Sequence, residues 1–108
     1  MRRAQFYGKD KFICEMIENK AFYAGTIAKT HFRLVGIAVS KETQGRGYGT
    51  VMMKRIIAIC RKRGLETITL RTNRNETAVN FYKKFGGKVV GVKENDYEME
   101  VRVCFTSS

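Results

Sequence analysis

Three glycines at alternate positions, Gly45, Gly47 and Gly49, open the second part of the stretch "SKETQGRGYGTVMMKRIIAICRKRG", residues 40–64. Without a Cβ, glycine lets backbone N–H groups face a ligand unobstructed. Ahead of a helix, those amides join the positive end of the helix dipole and together can hold an anion. Arg46 adds a fixed charge suited to phosphate oxygens. The stretch lacks the Lys-Ser/Thr that closes a Walker A loop, and G-x-G-x-G is not the dinucleotide fingerprint. Two readings stay open here: a pyrophosphate-binding turn spanning Gln44–Thr50, or a tight strand-to-helix turn with solvated charges.

Other chemistry is sparse. Cys14, Cys60 and Cys104 are odd in number and far apart, without the spacing of a zinc site or a disulfide framework. They read as plain buried thiols. With His31 the sole histidine, a His-rich metal site or a Ser-His-Asp triad is not expected, so no metal enters the reading. The net charge of +11 is uneven: residues 1–63 carry 14 basic and 4 acidic side chains (+10), residues 64–108 carry 7 and 6 (+1). Such a field attracts anions, whether phosphorylated cofactors, nucleic acid or acidic protein surfaces, and charge alone does not choose among them.

The elements that must position these residues follow from hydrophobic patterning. At 108 residues and 44% apolar content the chain is expected to form one domain, residues 1–108, around one core. No apolar run reaches the ~20 residues of a membrane span, and the N-terminal arginines are not followed by a signal-peptide core, so a cytoplasmic protein is expected. A hairpin is expected with strands at Lys11–Glu18 and Ala21–Ala28, although Phe12, Ile13, Met16 and Ile17 also fall at helical spacing, and then a strand at Phe32–Val39. Met52, Met53, Ile56, Ile57, Ile59 and Cys60 recur at helical spacing after the glycines, with Gly64 as the C-terminal stop. A strand at Glu66–Arg71, a short helix capped by Asn75 and ending at Gly86-Gly87, and two strands turning at Glu94–Asp96 complete the order. The fold class is α/β (α+β): a mixed, mostly antiparallel sheet with flanking helices.

"AVSKETQGRGYGTVMMKRI" strongly resembles the central motif of the GNAT superfamily of N-acetyltransferases, through Gln44, Arg46, Gly47, Tyr48 and Gly49, and is most similar to the histone-acetyltransferase branch. A second motif of the superfamily, N-x-x-A-x-x-h-Y-x-K-h-G-F, is matched by "NETAVNFYKKFGG" at Asn75, Ala78, Phe81, Tyr82, Lys84, Phe85 and Gly86, with Gly87 in place of the last Phe. "ENKAFYAGTIA" also looks like the turn between the superfamily's second and third strands, with Gly25 at its usual end. The likeness implies the acyl-CoA N-acyltransferase fold, N-terminally shortened, with acetyl-CoA as cosubstrate. It implies that strands Phe32–Val39 and Glu66–Arg71 run parallel and splay, that the backbone of Ile37 and Val39 pairs with the pantetheine arm, and that amides of Gln44, Gly45, Arg46, Gly47, Tyr48, Gly49 and Thr50 cradle the pyrophosphate. It further implies that Asn75 bonds the pantetheine and that Tyr82 protonates the departing thiolate. On the residues alone, Tyr82 reads equally as an aromatic filling the core.

Two departures qualify the likeness. The glutamate base of the histone-acetyltransferase pattern falls at Arg33, which cannot act as a base. His31, on the same strand face, is one substitute with a suitable ordinary pKa, and backbone-relayed water is another. Only about ten residues precede the first hairpin, fewer than the superfamily's opening strand and helices need. The acceptor side is therefore expected to be open, supplied by another subunit of a homodimer, or completed by a partner. An open, basic site suits a macromolecular acceptor, such as an acidic protein or a nucleoprotein, better than a small polyamine cation. The alternative is a GNAT-fold module that holds CoA or RNA/nucleoprotein without turnover, although no nucleic-acid-binding signature is present.

Overall fold

The structure, a computed structural model, describes residues 5–7, 12–28 and 30–103. The strands are β1 (Gln5–Tyr7), β2 (Phe12–Ile17), β3 (Ala21–Ala28), β4 (His31–Val39), β5 (Thr67–Asn73), β6 (Lys88–Lys93) and β7 (Asp96–Arg102). They form a sheet of order β1-β2-β3-β4-β5-β7-β6, in which every neighbouring pair is antiparallel except β4–β5. Helices α1 (Tyr48–Arg63) and α2 (Glu76–Lys83) flank it, α1 crossing from β4 to β5. This is the expected mixed, mostly antiparallel architecture. Strand β1 and a 3-10 turn at Lys41–Thr43 were not expected; Lys11, placed in a strand above, and Cys104, read above as a buried thiol, lie outside the described residues.

Paired residues share a face, so the register identifies the core side of the sheet. Ile13, Glu15 and Ile17 of β2 oppose Gly25, Tyr23 and Ala21 of β3, and these in turn oppose Leu34, Ile37 and Val39 of β4. Phe32 and Leu34 continue to Ile68 and Leu70, then to Val101 and Met99. Helix α1 lays Met52, Met53, Ile56 and Cys60, all fully buried, on that surface. Burying a large apolar side chain is worth roughly 1.5–3 kcal/mol, so this stripe rather than local propensity holds the helix down. Ile57 and Ile59 fall at its margin and are only half-buried.

Helix α1 ends as its sequence dictates. Gly64 adopts φ 71°, its amide donating to Arg61 O at 3.3 Å, while Leu65 N donates to Cys60 O at 2.8 Å. The two bonds together form the Schellman pattern, and Arg61, Lys62 and Arg63 set positive charge against the last carbonyls. Burial pushes the Cys60 thiol up to about 11, which keeps it protonated and inert. Cys14 is half-buried.

One irregularity shapes the site. Gly25 pairs with Leu34 and Ala24 with Gly36, so β4 carries an extra residue, Val35, which is 66% exposed. A bulge of this kind bends its strand and shifts the side-chain alternation by one. Ile37 and Val39 therefore stand on the same face as Phe32 and Leu34.

Candidate active site

The bulge falls where β4 and β5 part. Their pairing runs from His31↔Thr67 to Leu34↔Leu70 and goes no further. Beyond it each strand stays bound on its outer side only: Gly36–Val39 to β3, and Arg71–Asn73 to β7. On this unpaired stretch of β4, Ile37 and Val39 line a cleft of about 810 Å³. Strand β5 runs to Asn73, two residues past its expected end, because β7 pairs with it as far as Asp96. Thr72 and Asn73 thereby join the cleft wall.

The glycine loop borders the other end of the cleft. Ser40 and Thr43 shape its entry: their hydroxyls lie 2.8 Å apart, and Thr43 N donates to Ser40 O at 3.0 Å. Gly45 and Gly47 adopt φ 82° and 86°, a left-handed backbone that side chains with a Cβ disfavour. Gly47 caps α1 without any side-chain bond, and the first helical bond runs from Val51 N to Gly47 O at 3.0 Å. The amides of Tyr48, Gly49 and Thr50 precede it, as the first amides of a helix do. Gly49 also meets a packing demand: a Cβ there would sit 3.2 Å from the Phe81 ring, so its absence lets α2 pack against the first turn of α1.

Helix α2 closes the cleft from above. Asn75 Oδ1 accepts from Thr77 N at 2.8 Å, the expected cap, which leaves the Asn75 side-chain amide as its free donor. Tyr82 reaches the cleft beside Ala78. Phe81 packs edge-on to Tyr82 and Phe85, with centroids 5.1 and 5.4 Å apart, fixing the ring. Burial raises the Tyr82 phenol above its ordinary value near 10, so it carries its proton throughout the neutral range.

Of the residues singled out from sequence, Ile37, Val39, Gln44, Gly45, Gly47, Tyr48, Gly49, Thr50, Asn75 and Tyr82 line this one cleft. Several already have partners. Gln44 Nε2 donates to Val39 O at 3.3 Å, and Tyr48 donates its hydroxyl to Glu18 at 3.3 Å, tying α1 to the β2–β3 turn. Arg46 does not line the cleft. It is exposed on the loop, and its amide donates to Thr43 O at 3.1 Å. Nor does His31, which sits at the paired end of β4 opposite Thr67, six residues from Ile37 or roughly 20 Å along the strand.

Sequence reasoning missed a buried cluster behind the site. Glu15 lies on the core face at 6% exposure, accepting from Tyr23 Oη at 3.0 Å and from Arg55 at 2.8 Å. It ties β2, β3 and α1 together, and burial, with the adjacent Glu15 carboxylate, raises the Tyr23 phenol. A glutamate alternating with Ile13 and Ile17 was the available signal. Among the described residues no group of three or more His, Cys, Asp or Glu could hold a metal ion, and no helix is long and apolar enough to cross a membrane.

Residues 8–87 match the profile of the acetyltransferase (GNAT) family. The chain belongs to that family. Its curated relatives include the [ribosomal protein bS18]-alanine N-acetyltransferase of Haemophilus influenzae, 27% identical over 86 residues, covering 77% of this chain and 59% of that one. N-alpha-acetyltransferase 30 of Schizosaccharomyces pombe is 30% identical over 78 residues, covering 71% and 51%. In both cases this GNAT chain spans little more than half of the relative's length. Among solved structures, the ribosomal-protein-S18-alanine N-acetyltransferase of Escherichia coli superposes with TM-score 0.78 at 19% identity, over 94% of this chain and 74% of that one. The PaiA N-acetyltransferase of Thermoplasma acidophilum, crystallised with coenzyme A, gives 0.75 at 22%, over 84% and 59%. Both have the same fold.

Proposed function

We propose that this GNAT chain transfers the acetyl group of acetyl-CoA to a primary amine, and that the acceptor is the amine of a protein. The observation that carries the reading is the unpaired inner edge of β4, set between an uncapped helix N-terminus and the Tyr82 phenol. An extended, amide-bearing chain can pair with that edge as a strand pairs with its neighbour. Amides around Gly47–Thr50 suit a pyrophosphate. Asn75 offers its side-chain amide to the pantetheine.

The acceptor's lone pair attacks the thioester carbonyl carbon, and a C–N bond forms as the C–S bond breaks. A backbone amide on the edge of β4 stabilises the developing oxyanion. Tyr82 gives its proton to the departing thiolate and is reprotonated from solvent. The proton shed by the amine leaves through water, since His31 stands at the other end of the strand. A protein acceptor follows the relatives, whose names specify a ribosomal-protein alanine and N-alpha acetylation.

Calorimetric titration with CoA and acetyl-CoA tests the first half, with binding expected in the micromolar range. Absence of binding at millimolar ligand sinks it. Labelled acetyl-CoA with matched peptides, one with a free N-terminus and one N-terminally blocked, tests the second. Label is expected on the free peptide, and equal labelling of both would move the acceptor to a lysine side chain.

A further inference from the structure

The cleft is almost uncharged although the net charge of the chain is +11. Among the described residues that line it, Lys84 alone carries a formal charge. Coenzyme A bears a phosphomonoester on its ribose in addition to the pyrophosphate, and a phosphomonoester holds about 1.5–2 negative charges near neutral pH. The helix terminus offers only about half a positive charge, already matched to the pyrophosphate.

We propose, resting on the CoA reading above, that Lys84 recognises the ribose 3′-phosphate and makes the cleft select CoA over its dephosphorylated form. Geometry separates the two ends of the ligand. Thr77, Phe81 and Lys84 recur at i, i+4 and i+7 and share one stripe of α2 and its cap, while Ala78 and Tyr82 form the neighbouring stripe. The Phe81 ring abuts Gly49 in the first turn of α1, so the Lys84 stripe borders the phosphate end, about 4.5 Å further along the helix axis. Lys84 closes α2 through its backbone, its amide donating to Asn80 O at 3.2 Å. Its side chain is exposed, with no ion-pair partner among the described residues, and is free to meet a ligand anion.

The test is calorimetric titration of the wild type, Lys84→Gln, Lys84→Arg and Lys83→Gln with CoA and with 3′-dephospho-CoA, checking each fold by its thermal melt. An exposed charge pair supports a preference of about fivefold for CoA in the wild type at low salt. Lys84→Gln should abolish that preference by weakening CoA alone. Lys84→Arg should keep most of it, and Lys83→Gln all of it. Equal binding of both ligands by the wild type overturns the Lys84 assignment while leaving the CoA site standing. So does a Lys84→Gln variant that keeps the preference, or a Lys83→Gln variant that loses it equally. Failure of the wild type to bind either ligand overturns both readings.

Discussion

From His31 to Leu34, β4 lies against β5 as a closed parallel ladder; from Val35 onward the same two strands share no pairing. In the closed half Phe32, Leu34, Ile68 and Leu70 are all buried in the core. In the open half Ile37, Val39, Thr72 and Asn73 line a cleft. Composition does not account for the difference, since the open half of β4, Val35–Val39, is the more apolar of the two. What separates them is one surplus residue and the way each lip is held from outside. The β4 lip is bound by β3 and by Ser40 N donating to Lys20 O at 2.8 Å. The β5 lip is bound by β7, with Arg71 between Glu94 at 3.0 Å and Asp96 at 3.1 Å, and Arg74 over the Tyr97 ring at 5.2 Å. A gap braced on both sides is preorganised, so little ordering cost falls on the ligand.

Deleting Val35 attacks that contrast directly and carries the largest expected effect. Without the surplus residue Gly36 alone would stand opposite Ala24, and Ile37 and Val39 would keep their facing. What is lost is the bend that carries β4 away from β5, so the two strands could pair across the cleft. CoA affinity should fall about a thousandfold, or about 4 kcal/mol, by calorimetry. Val35→Ala keeps the bulge and should stay within about twofold. Retained affinity in the deletion would mean that the surplus residue does not make the cleft.

Gly25→Val strikes the hinge between the halves from the β3 side. A Cβ at Gly25 would collide with the Phe32 ring and stand 2.7 Å from Arg33 O, a backbone atom that cannot swing away. Overpacking against backbone should cost about 3 kcal/mol, seen as a lower urea midpoint with unchanged slope. A variant as stable as the wild type would show that the β3–β4 pairing yields easily at the bulge.

The closed half was the more legible in sequence. Alternating apolar residues, the stripe of α1, Gly64 and the Asn75 cap are local signals, and the elements they specify formed within about two residues. The open half was read through resemblance, because nothing in "HFRLVGIAV" marks Val35 as unpaired. A bulge is a property of two strands and their register, as is the termination of β5, which depends on β7. The Glu15–Tyr23–Arg55 cluster was hidden for the same reason: its three members come from three elements. Gly49 lines the cleft as its place in the motif suggests, and carries a second demand that the motif did not reveal, its close packing against Phe81.

Tyr82→Phe sharpens the comparison at its chemical end. The variant loses a proton donor and keeps the ring, so turnover should drop about a hundredfold with CoA affinity unchanged. The pH profile carries the sign. Tyr82 acts in its protonated form, and burial raises its pKa, so wild-type turnover should rise with pH as the acceptor amine loses its proton. It should then fall only above the ordinary phenol range near 10. The phenylalanine variant should lack the alkaline fall. A profile with that fall intact would assign it to another group and take Tyr82 out of proton transfer.

Arg46 gives the smallest effect, because it stands outside the walls that make the cleft special. Its amide is committed to the 3-10 turn and its side chain is exposed, so it can act on a bound phosphate only across solvent. Arg46→Gln should weaken CoA about twofold at low ionic strength and not measurably at 0.5 M salt, whereas a phosphate gripped by amides should remain bound there. A loss of tenfold or more, persisting in high salt, would place the guanidinium in direct contact with the ligand and require the loop to close over it on binding.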